Sequence, residues 1–342
     1  MEMGIVFMPL RIGIPRALYY YTFIPLWERF FYELGFEVVE SGITNKEIVD
    51  MGVRTAVTDA CAPVKIFQGH AEWLARRANV DVVFIPRMVS FEWGYVFCPK
   101  FLGLPDMVRA TIDNMPRIID TEFDLRKGPG ALLRSLVRLG TELGASRGKA
   151  LVAAVKAIRH FRQVGWTDYA RRERRTGENT QRAVVTIGLV GYPYIVHDQF
   201  LGGDMVNLLE SAGVKVLTIE DVSSEQVRSE DRSLEKQVFW HYSNRTIKSA
   251  YYLMRHGLID GLVHATAFSC GPDAIVDKFL ELDCKHQFGV PYLSLSVDEH
   301  SGRAGIVTRL EAFLDMLLRK KGVRAERQLS DCIRAGQGRR VS

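Results

Sequence analysis

The order of hydrophobic and polar residues predicts a strand, helix, strand unit at the start of the chain. An apolar run over residues 12–14 is followed by a turn at Pro15 and then by an amphipathic segment that continues to Leu34. Gly35 predicts the end of that helix, and residues 36–39 predict the next strand. A connection of this length requires the two strands to pair in parallel.

A second unit of the same kind follows directly. Residues 55–58 predict a strand, residues 63–76 predict a helix, and residues 80–85 predict another strand. These strands are mostly apolar runs without clean alternation, which is typical of a parallel sheet covered by helices on both faces.

The pattern changes after Pro105. Residues 106–182 have mainly helical periodicity with many charges, most clearly over residues 131–143 and 149–164. This region predicts a helical connector and not a third sheet. Strand character resumes over residues 184–190.

The second half of the chain then repeats the opening of the first. Gly13 matches Gly191, and the helix-ending Gly35 matches Gly213, both at an offset of 178 residues without a gap. The remaining elements predicted for this half are strands over residues 261–265 and 291–297 and a last major helix over residues 304–318.

The predicted fold class is therefore α/β, with two Rossmann-like (flavodoxin-like) parallel-sheet domains joined by a helical connector. The first domain is predicted over residues 1–110 and the connector over residues 111–182. The second domain is predicted over residues 183–342, and it ends in a helix and a basic tail.

Composition supports an ordinary globular chain. The 342 residues are 47% hydrophobic and 25% charged, which excludes a disordered or fibrous protein. The longest stretch without charge or histidine, residues 183–196, is shorter than the roughly 20 apolar residues that cross a bilayer. Glu2 stands where a secretory signal would carry positive charge, so we expect a cytoplasmic protein without a membrane span.

The net charge is only +5, but many basic residues lie in one region, residues 159–182, which includes an arginine-rich run at residues 171–175. Such a run attracts nucleic acid or the phosphates of coenzyme A, or it is simply a solvated linker face. We favour the solvated face, because no aromatic residues interleave the run and no nucleic-acid motif accompanies it.

The five cysteines carry the clearest chemical signal. Their odd, sparse count in a cytoplasmic chain argues against a disulfide framework. Cys61, Cys98 and Cys270 each have a proline one or two residues later, and we expect Cys61 and Cys270 to lie where a strand ends and a helix begins. A helix amino terminus stabilises a thiolate, and three converging thiolates would form a soft metal site with one position left open.

The alternative is that these thiols are small buried hydrophobic side chains, as most unpaired cysteines are. We keep both interpretations open for the three proline-associated cysteines on spacing alone. Cys284 and Cys332 lack this context, and we interpret both as inert.

Several motifs occur in order along the chain: GIPRAL at 13–18, TNKE at 44–47, ACAPVK at 60–65, FIPR at 84–87, CPKFLGLP at 98–105, CGP at 270–272, DEHSGRAG at 298–305 and TRLEAF at 308–313. As an ordered set they resemble the acyl-CoA dehydratase activase-related proteins. That family is similar to the subunits of 2-hydroxyglutaryl-CoA dehydratase and to the double-cubane-cluster reductases. The resemblance covers residues 11 to about 318.

The resemblance implies that Cys61, Cys98 and Cys270 bind a four-iron four-sulfur (4Fe-4S) cluster between two Rossmann-like domains. It also implies a separate ATP-hydrolysing activator of the actin-like ATPase type, with its own iron-sulfur cluster, that supplies low-potential electrons. The chain has too few cysteines for a double cluster. It also contains no GxxxxGK[ST] phosphate loop, so we expect the partner to hydrolyse ATP. The chain is expected to act as a homodimer or to pair with a related subunit.

Other polar residues are candidates for the surroundings of the site. Lys65 and Lys100 follow Cys61 and Cys98 closely enough to balance the charge of thiolates and a cluster, or they are solvated. Glu299 and His300 follow the strand at residues 291–297 and are candidate catalytic residues that relay protons or contact a ligand. The alternative is that this segment, with Asp298 as a cap, only forms a turn.

Three functions follow from these observations. In the first, the protein accepts low-potential electrons from the activator and reduces a substrate at a cluster with one open iron. In the second, it is a subunit of a 2-hydroxyacyl-CoA dehydratase. In the third, it is a non-catalytic scaffold that binds a small molecule or a metal.

Overall fold

The computed structural model describes residues 9–165, 183–230 and 238–322. These residues form two compact units. The first contains residues up to 58 together with 64–165, and the second contains residues 59–63 together with the described residues from 183 onward. The arginine-rich run at 171–175, Cys332 and the end of the basic tail lie outside the described residues.

The first unit is built on a parallel sheet flanked by helices. Its strands are β1 (Arg11–Ile14), β2 (Glu37–Glu40), β3 (Val82–Phe84), β4 (Arg87–Ser90), β5 (Arg117–Ile119) and β6 (Glu122–Asp124). Its helices are α1 (Tyr20–Leu34), α2 (Lys46–Thr55), α3 (Ala62–Arg77), α4 (Pro99–Thr111), α5 (Ala131–Glu142) and α6 (Arg147–Val164). The four-stranded sheet has the order β2-β1-β3-β5, all parallel, and β4 and β6 form a separate parallel pair.

Aromatic side chains of α1 fill the core of this unit. Trp27, Phe30 and Phe31 are completely buried. The Trp27 ring lies 5.1 Å from the ring of Phe84 in β3 and 4.9 Å from that of Phe123 in β6, both edge to face. Large aromatic groups in this arrangement account for much of the burial that stabilises a core, so α1 fixes the sheet.

The strand predicted over residues 55–58 is wrong, because helix α2 continues to Thr55 and residues 56–58 form an irregular connection. Asn45 caps the helix by accepting a hydrogen bond from the backbone N–H of Ile48 at 3.1 Å. The helix then runs to Thr55, whose hydroxyl donates to the carbonyl of Met51 at 3.0 Å. A good amino-terminal cap and a buried apolar face therefore outweigh the β-branched residues at the helix end.

Helices α2 and α3 cross at backbone contact distance. A Cβ atom placed on Gly52 would lie 1.9 Å from the carbonyl oxygen of Lys65, and one on Gly69 would lie 1.9 Å from that of Ile48. No larger residue fits at either position without separating the helices. The crossing therefore fixes α3 against α2.

Helices α5 and α6 lie inside the range predicted as a connector, and both belong to the first unit. α6 packs on α1 and on α5 through an alanine face formed by Ala150, Ala153, Ala154 and Ala157. The strands β5 and β6 also lie inside the range 111–182. They are only three residues long, too short to produce a recognisable alternation.

The second unit has a parallel sheet of its own. Its strands are β7 (Thr186–Gly191), β8 (Lys215–Leu217), β9 (Gly261–Ala267) and β10 (Tyr292–Val297). Its helices are α7 (Pro193–Val196), α8 (Met205–Ser211), α9 (Ser224–Ser229), α10 (His241–Arg255), α11 (Gly271–Asp283) and α12 (Arg303–Lys320). The sheet order is β10-β9-β7-β8, and every pairing is parallel.

Both sheets have the same topology. Counted along the chain, the second strand lies beside the first, the third on the first strand's other side, and the fourth beyond the third. The prediction of an α/β fold with two Rossmann-like parallel sheets is confirmed.

The internal repeat is real, but its predicted alignment in the first strand is shifted by three residues. Gly13 pairs with Val39 of β2, and the residue with the corresponding register in β7 is Gly188, which pairs with Leu217 of β8. Gly191, which the ungapped comparison matched to Gly13, lies at the end of β7. The separation of these paired residues along the chain, Gly13 to Val39 and Gly188 to Leu217, is three residues longer in the second unit, and an ungapped comparison cannot detect this.

The helix-ending glycines of the repeat are confirmed. Gly35 and Gly213 have φ angles of 78° and 79°, in the left-handed region that glycine adopts without strain. No helix in the described ranges has both the length and the apolar character needed to cross a membrane.

Candidate functional site

Each of the three proline-associated cysteines directly precedes a helix. Cys61 precedes α3, Cys98 is the amino-terminal cap of α4, and Cys270 is that of α11. The carbonyls of Cys98 and Cys270 accept hydrogen bonds of 2.9 Å from residues in the first turn. The helices have 16, 13 and 13 residues, so each presents a full positive end to its cysteine. This position lowers the free energy of a thiolate.

Cys98 and Cys270 occupy the same place in the two sheets. Each begins the helix that connects the third strand to the fourth. Cys61 differs, because it begins the helix that leads to the third strand. The expectation that Cys61 follows a strand is wrong, since it follows helix α2, whereas Cys270 does follow strand β9.

The second unit brings Cys61 and Cys270 together around one buried tyrosine. Both cysteines belong to this unit, whereas Cys98 belongs to the first. Burial raises the pKa of the Tyr194 phenol well above its usual value, and negative charge on Cys270 and on Cys61 raises it further. The two thiols, more than 200 residues apart in sequence, therefore act on the same side chain. Cys61 is 9% exposed, and Cys270 is half-buried.

Tyr194 is part of a cluster of aromatic rings. Its ring centre lies 5.5 Å from that of Tyr192 and 5.5 Å from that of Tyr242. The hydroxyl of Tyr192 is 2.6 Å from the hydroxyl of Ser243 in α10. All three tyrosines are buried, so they form an apolar wall with fixed hydroxyl positions. The repeated glycine and proline around Tyr192 drew attention to this segment in the sequence, but nothing there indicated the role of its rings.

The turn that carries Cys270 is short and closed on itself. Only Phe268 and Ser269 separate Cys270 from the end of β9. Ser269 has a φ of 65°, in the left-handed region, and the backbone N–H of Cys270 donates to the carbonyl of Ala267 at 3.1 Å. In the other direction, the backbone N–H of Ala267 donates to the carboxylate of Asp273 at 3.1 Å.

The structure places both candidate lysines near the start of a cysteine-led helix. Lys65 lies in the first turns of α3, four residues after Cys61, and Lys100 is the second residue of α4, two after Cys98. Both are half-buried. A cation at this end of a helix is opposed by the helix dipole, so these positions favour a lysine only when negative charge lies nearby.

The segment with Glu299 and His300 forms a turn after β10. The carboxylate of Asp298 accepts hydrogen bonds of 2.8 Å from the backbone N–H of His300 and from the hydroxyl of Ser301. Burial alone would raise the pKa of Asp298, but these donors lower it overall. Glu299 is half-buried and His300 is exposed. Asp298 therefore caps the turn, and catalytic roles for Glu299 and His300 stay predictions.

Cys284 is an inert thiol. It is 1% exposed, and its Sγ lies 3.4 Å from the Sδ of Met254. Burial, reinforced by the neighbouring Asp283, raises its pKa to about 12, so it carries no charge at neutral pH.

Two buried histidines that sequence reasoning missed support the cysteine-led helices. On α3, His70 Nδ1 lies 2.8 Å from the hydroxyl of Ser41 and Nε2 lies 2.9 Å from that of Thr44. Burial, with a contribution from Arg16, lowers its pKa to about 3, so it is neutral. Thr44 belongs to a motif quoted above, but its partner on a helix 26 residues later could not be inferred from pattern.

The second buried histidine is charged. His264 in the middle of β9 contacts Asp273 and Asp277, both on α11. Burial alone would lower the pKa of His264, but the two carboxylates raise it to about 9.

The four described cysteines are all present as thiols, without a disulfide among them. In the described ranges, no group of three or more histidine, cysteine, aspartate or glutamate side chains is arranged to hold a metal ion. The donor set itself suits iron, because thiolates at helix amino termini are the ligands that iron-sulfur clusters take.

Two family models match this chain. Residues 11–222 match the family described as CoA enzyme activase uncharacterised domain. Residues 153–317 match 2-hydroxyglutaryl-CoA dehydratase, D-component. Together the matches span the region in which the sequence motifs occur. A comparison with curated proteins gave no match.

Two solved structures show a remote similarity to this chain. A putative phosphosugar isomerase from Silicibacter pomeroyi DSS-3 is 9% identical, with 93% of this chain and 88% of that chain covered and a TM-score of 0.20. A LacI family transcriptional regulator from Arthrobacter sp. FB24 is 13% identical, with 94% and 93% covered and a TM-score of 0.21. At these scores neither likeness bears on the function of this chain.

Proposed function

Since this chain belongs to the CoA enzyme activase uncharacterised domain family and shares the dehydratase D-component region, we propose that it is an iron-sulfur protein that reduces a substrate. In this proposal Cys61, Cys98 and Cys270 bind a four-iron four-sulfur cluster that keeps one iron open. The electrons come from a separate ATP-hydrolysing activator.

The observation that supports this most strongly is the shared position of the three thiols. Cys61, Cys98 and Cys270 each stand at the amino terminus of a long helix, while the inert Cys284 does not. A helix amino terminus stabilises negative sulfur, and it does so whether the sulfur is a thiolate or is bound to iron. Three ligands leave a four-iron cluster one site for substrate, because such clusters usually have four thiolates.

The polar groups around these cysteines have roles that follow from their charge. The Tyr194 phenol stays protonated at neutral pH, so its hydroxyl remains a hydrogen-bond donor beside Cys61 and Cys270. Lys65 and Lys100 supply positive charge at the starts of α3 and α4. A bound cluster would supply one-electron transfer and an open iron that polarises an oxygen of the substrate. These groups would then offset its negative charge, which tunes the reduction potential of such clusters.

The activator is proposed from the family and from what the chain lacks. The family is described as a CoA enzyme activase domain, and no phosphate-binding GxxxxGK[ST] loop occurs in the sequence. ATP hydrolysis is therefore assigned to a partner that docks on this protein.

The test is iron and sulfide analysis of anaerobically purified protein, combined with electron paramagnetic resonance. We expect about four irons per chain and a signal that appears on reduction. The single variants C61A, C98A and C270A should each lose most of the iron. C284A is the matched control, since it removes a buried thiol that lies in the same unit as Cys270, and it should keep the full iron content.

Zinc in place of iron, or no metal after anaerobic reconstitution, would overturn this proposal and favour a non-catalytic scaffold. Equal iron loss in C284A and in the three ligand variants would show that the loss reflects unfolding and not ligation.

A second candidate function is favoured by the D-component match over residues 153–317. In this case the same cluster serves a 2-hydroxyacyl-CoA dehydratase, in which this chain is one of two subunits. Water loss from a 2-hydroxyacyl-CoA in the presence of activator and ATP would distinguish dehydration from reduction. Absence of turnover across several acyl chains, in protein that contains iron, would exclude it.

A further inference from the structure

The buried ion network around His264 joins the strand and the helix on either side of Cys270. His264 is in the middle of β9, a strand whose seven residues are all buried, and its side chain is 0% exposed. A polar ring in such a place is stable only when its nitrogen atoms are paired. Both of its partners come from α11, the helix that begins after Cys270.

The ring has a carboxylate beside each nitrogen atom. His264 Nδ1 and Asp277 Oδ1 form a hydrogen bond of 2.9 Å, and Nε2 lies 3.2 Å from Asp273 Oδ1, an ion-pair contact without hydrogen-bond geometry. The two carboxylates raise the pKa of His264 to about 9 despite its burial, so the ring is charged at neutral pH. Asp277 also accepts from the hydroxyls of Tyr292 at 2.6 Å and Ser294 at 2.7 Å, both on β10. The network thus ties α11 to two strands at once.

Asp273 connects this network to the cysteine. One of its oxygens faces His264, and the other accepts the backbone N–H of Ala267, the last residue of β9. Ala267, the last residue of β9, and Asp273, in the first turn of α11, flank the turn that contains Cys270. The Asp273 carboxylate therefore closes the turn, and the buried His264 cation sets the position of that carboxylate.

We propose that Asp273, locked by His264, is a positioning residue that holds the Cys270 sulfur in the orientation required for ligation. This inference rests on the proposed function, because it takes Cys270 to be a ligand. Asp273 and His264 act through the turn and do not touch iron. When either is replaced, the turn opens, and Cys270 gains access to solvent.

The experiment measures alkylation of Cys270 by iodoacetamide in the metal-free full-length protein, with peptide mass spectrometry and with Cys98 as the internal reference. D273N and H264Q should each increase the rate at Cys270 roughly tenfold, as expected when one charged hydrogen bond is lost. The rate at Cys98 should not change.

The two variants separate positioning from simple electrostatics. D273N removes a negative charge near the thiol and favours the thiolate, whereas H264Q removes a positive charge and disfavours it. An increase in both variants therefore supports positioning. Rate changes of opposite sign would show that only charge matters, and unchanged rates would show that the turn holds without the network. Either result would overturn the inference.

D283N is the matched control for loss of stability. Asp283 lies at the other end of α11 and accepts a hydrogen bond from the hydroxyl of Tyr251. The D283N variant should have a lower melting temperature but no increase in the alkylation of Cys270. If D283N increases alkylation as much as D273N does, general loosening of the helix explains the effect and the inference fails.

Iron content separates this inference from the proposed function. If wild-type protein binds no iron but D273N and H264Q still expose Cys270, the proposed function fails and the positioning stands. If wild-type protein binds iron and both variants keep the same iron content and the same electron paramagnetic resonance signal, the positioning fails and the proposed function stands.

Discussion

The two sheets share one strand order, but their equivalent cysteine-led helices are attached in different ways. In the first unit, Arg87 of β4 contacts Asp106 of α4 at 2.7 Å and Asp120, which follows β5, at 2.8 Å. Asp106 is 61% exposed. In the second unit, α11 is tied by His264 and Asp273, which are both 0% exposed. In the same topology, the cysteine-led helix can therefore be held by an exposed ion pair, the solvated support, or by a buried one.

The segments that connect each of these cysteines to the preceding strand of its four-stranded sheet also differ in length. Cys98 is 14 residues beyond the end of β3, with strand β4 in between, whereas Cys270 is 3 residues beyond the end of β9. A long segment depends little on any one contact. A three-residue turn depends strongly on the groups that close it, so the second unit should be the more sensitive to substitution.

The largest expected effect is on the pH dependence of the free energy of unfolding, to which His264 and His70 contribute with opposite signs. His264 has a folded pKa of about 9, above the unfolded value of 6.5, so its contribution is complete below pH 6.5 and is lost as the pH rises through 9. The free energy of unfolding should fall by on the order of 3 kcal/mol over this window. His70 has a folded pKa of about 3, so its contribution is complete above pH 6.5 and is lost as the pH falls.

Urea unfolding between pH 5 and pH 9 checks this prediction. H264Q should reduce the loss of stability on the alkaline side of the pH profile and leave the acid side unchanged. H70Q should reduce the loss on the acid side and leave the alkaline side unchanged. A profile in which both variants flatten the same side would contradict the assigned charge states.

The next effect concerns the close crossing of α2 and α3 in the first unit. G69A should lower the free energy of unfolding by about 2 kcal/mol, because the added methyl group collides with the carbonyl oxygen of Ile48. G103A in α4 is the matched control, since no atom lies within 4 Å of its new Cβ. It should be neutral or stabilising by about 0.5 kcal/mol, as replacing a helical glycine usually is. Equal losses in both variants, measured by urea unfolding at pH 7, would show that the crossing of α2 and α3 does not account for the loss in G69A.

The smallest effect is expected at the solvated support of α4. D106N should lower the free energy of unfolding by less than about 1 kcal/mol, because exposed ion pairs contribute little. The loss should shrink further in high salt, which screens exposed charges. A loss as large as that of H264Q, measured in the same buffer, would remove the distinction between the two supports.

Much of the fold followed from local signals in the sequence. The strands β1, β3 and β9 each contain a short apolar run, and Gly35 ends its helix as predicted. Local chemistry was sufficient there because burial and a single glycine determine the structure. The strand predicted over residues 55–58 failed because helix α2 extends to Thr55 and the residues after it only connect α2 to α3.

The candidate site was predictable only in part. The prolines after the cysteines indicated helix starts, and the structure places all three cysteines at such starts. The pairing of His264 with Asp273 and Asp277 could not be predicted, because it depends on how α11 lies across β9. The segments that connect Cys98 and Cys270 to their preceding strands differ in length, and this difference hides the equivalence of the two cysteines in the sequence. Only the strand order reveals that equivalence.

The purely parallel pairing of both sheets also determines how the chain must fold. The closest paired residues of neighbouring strands in the first sheet are Arg11 and Glu37, 26 residues apart, so the sheet contains no hairpin that could form locally. Closing such a loop costs about 1–2 kcal/mol more entropy than closing a short hairpin. Folds dominated by such long-range pairings fold slowly, so we expect α1 to form before β1 and β2 pair.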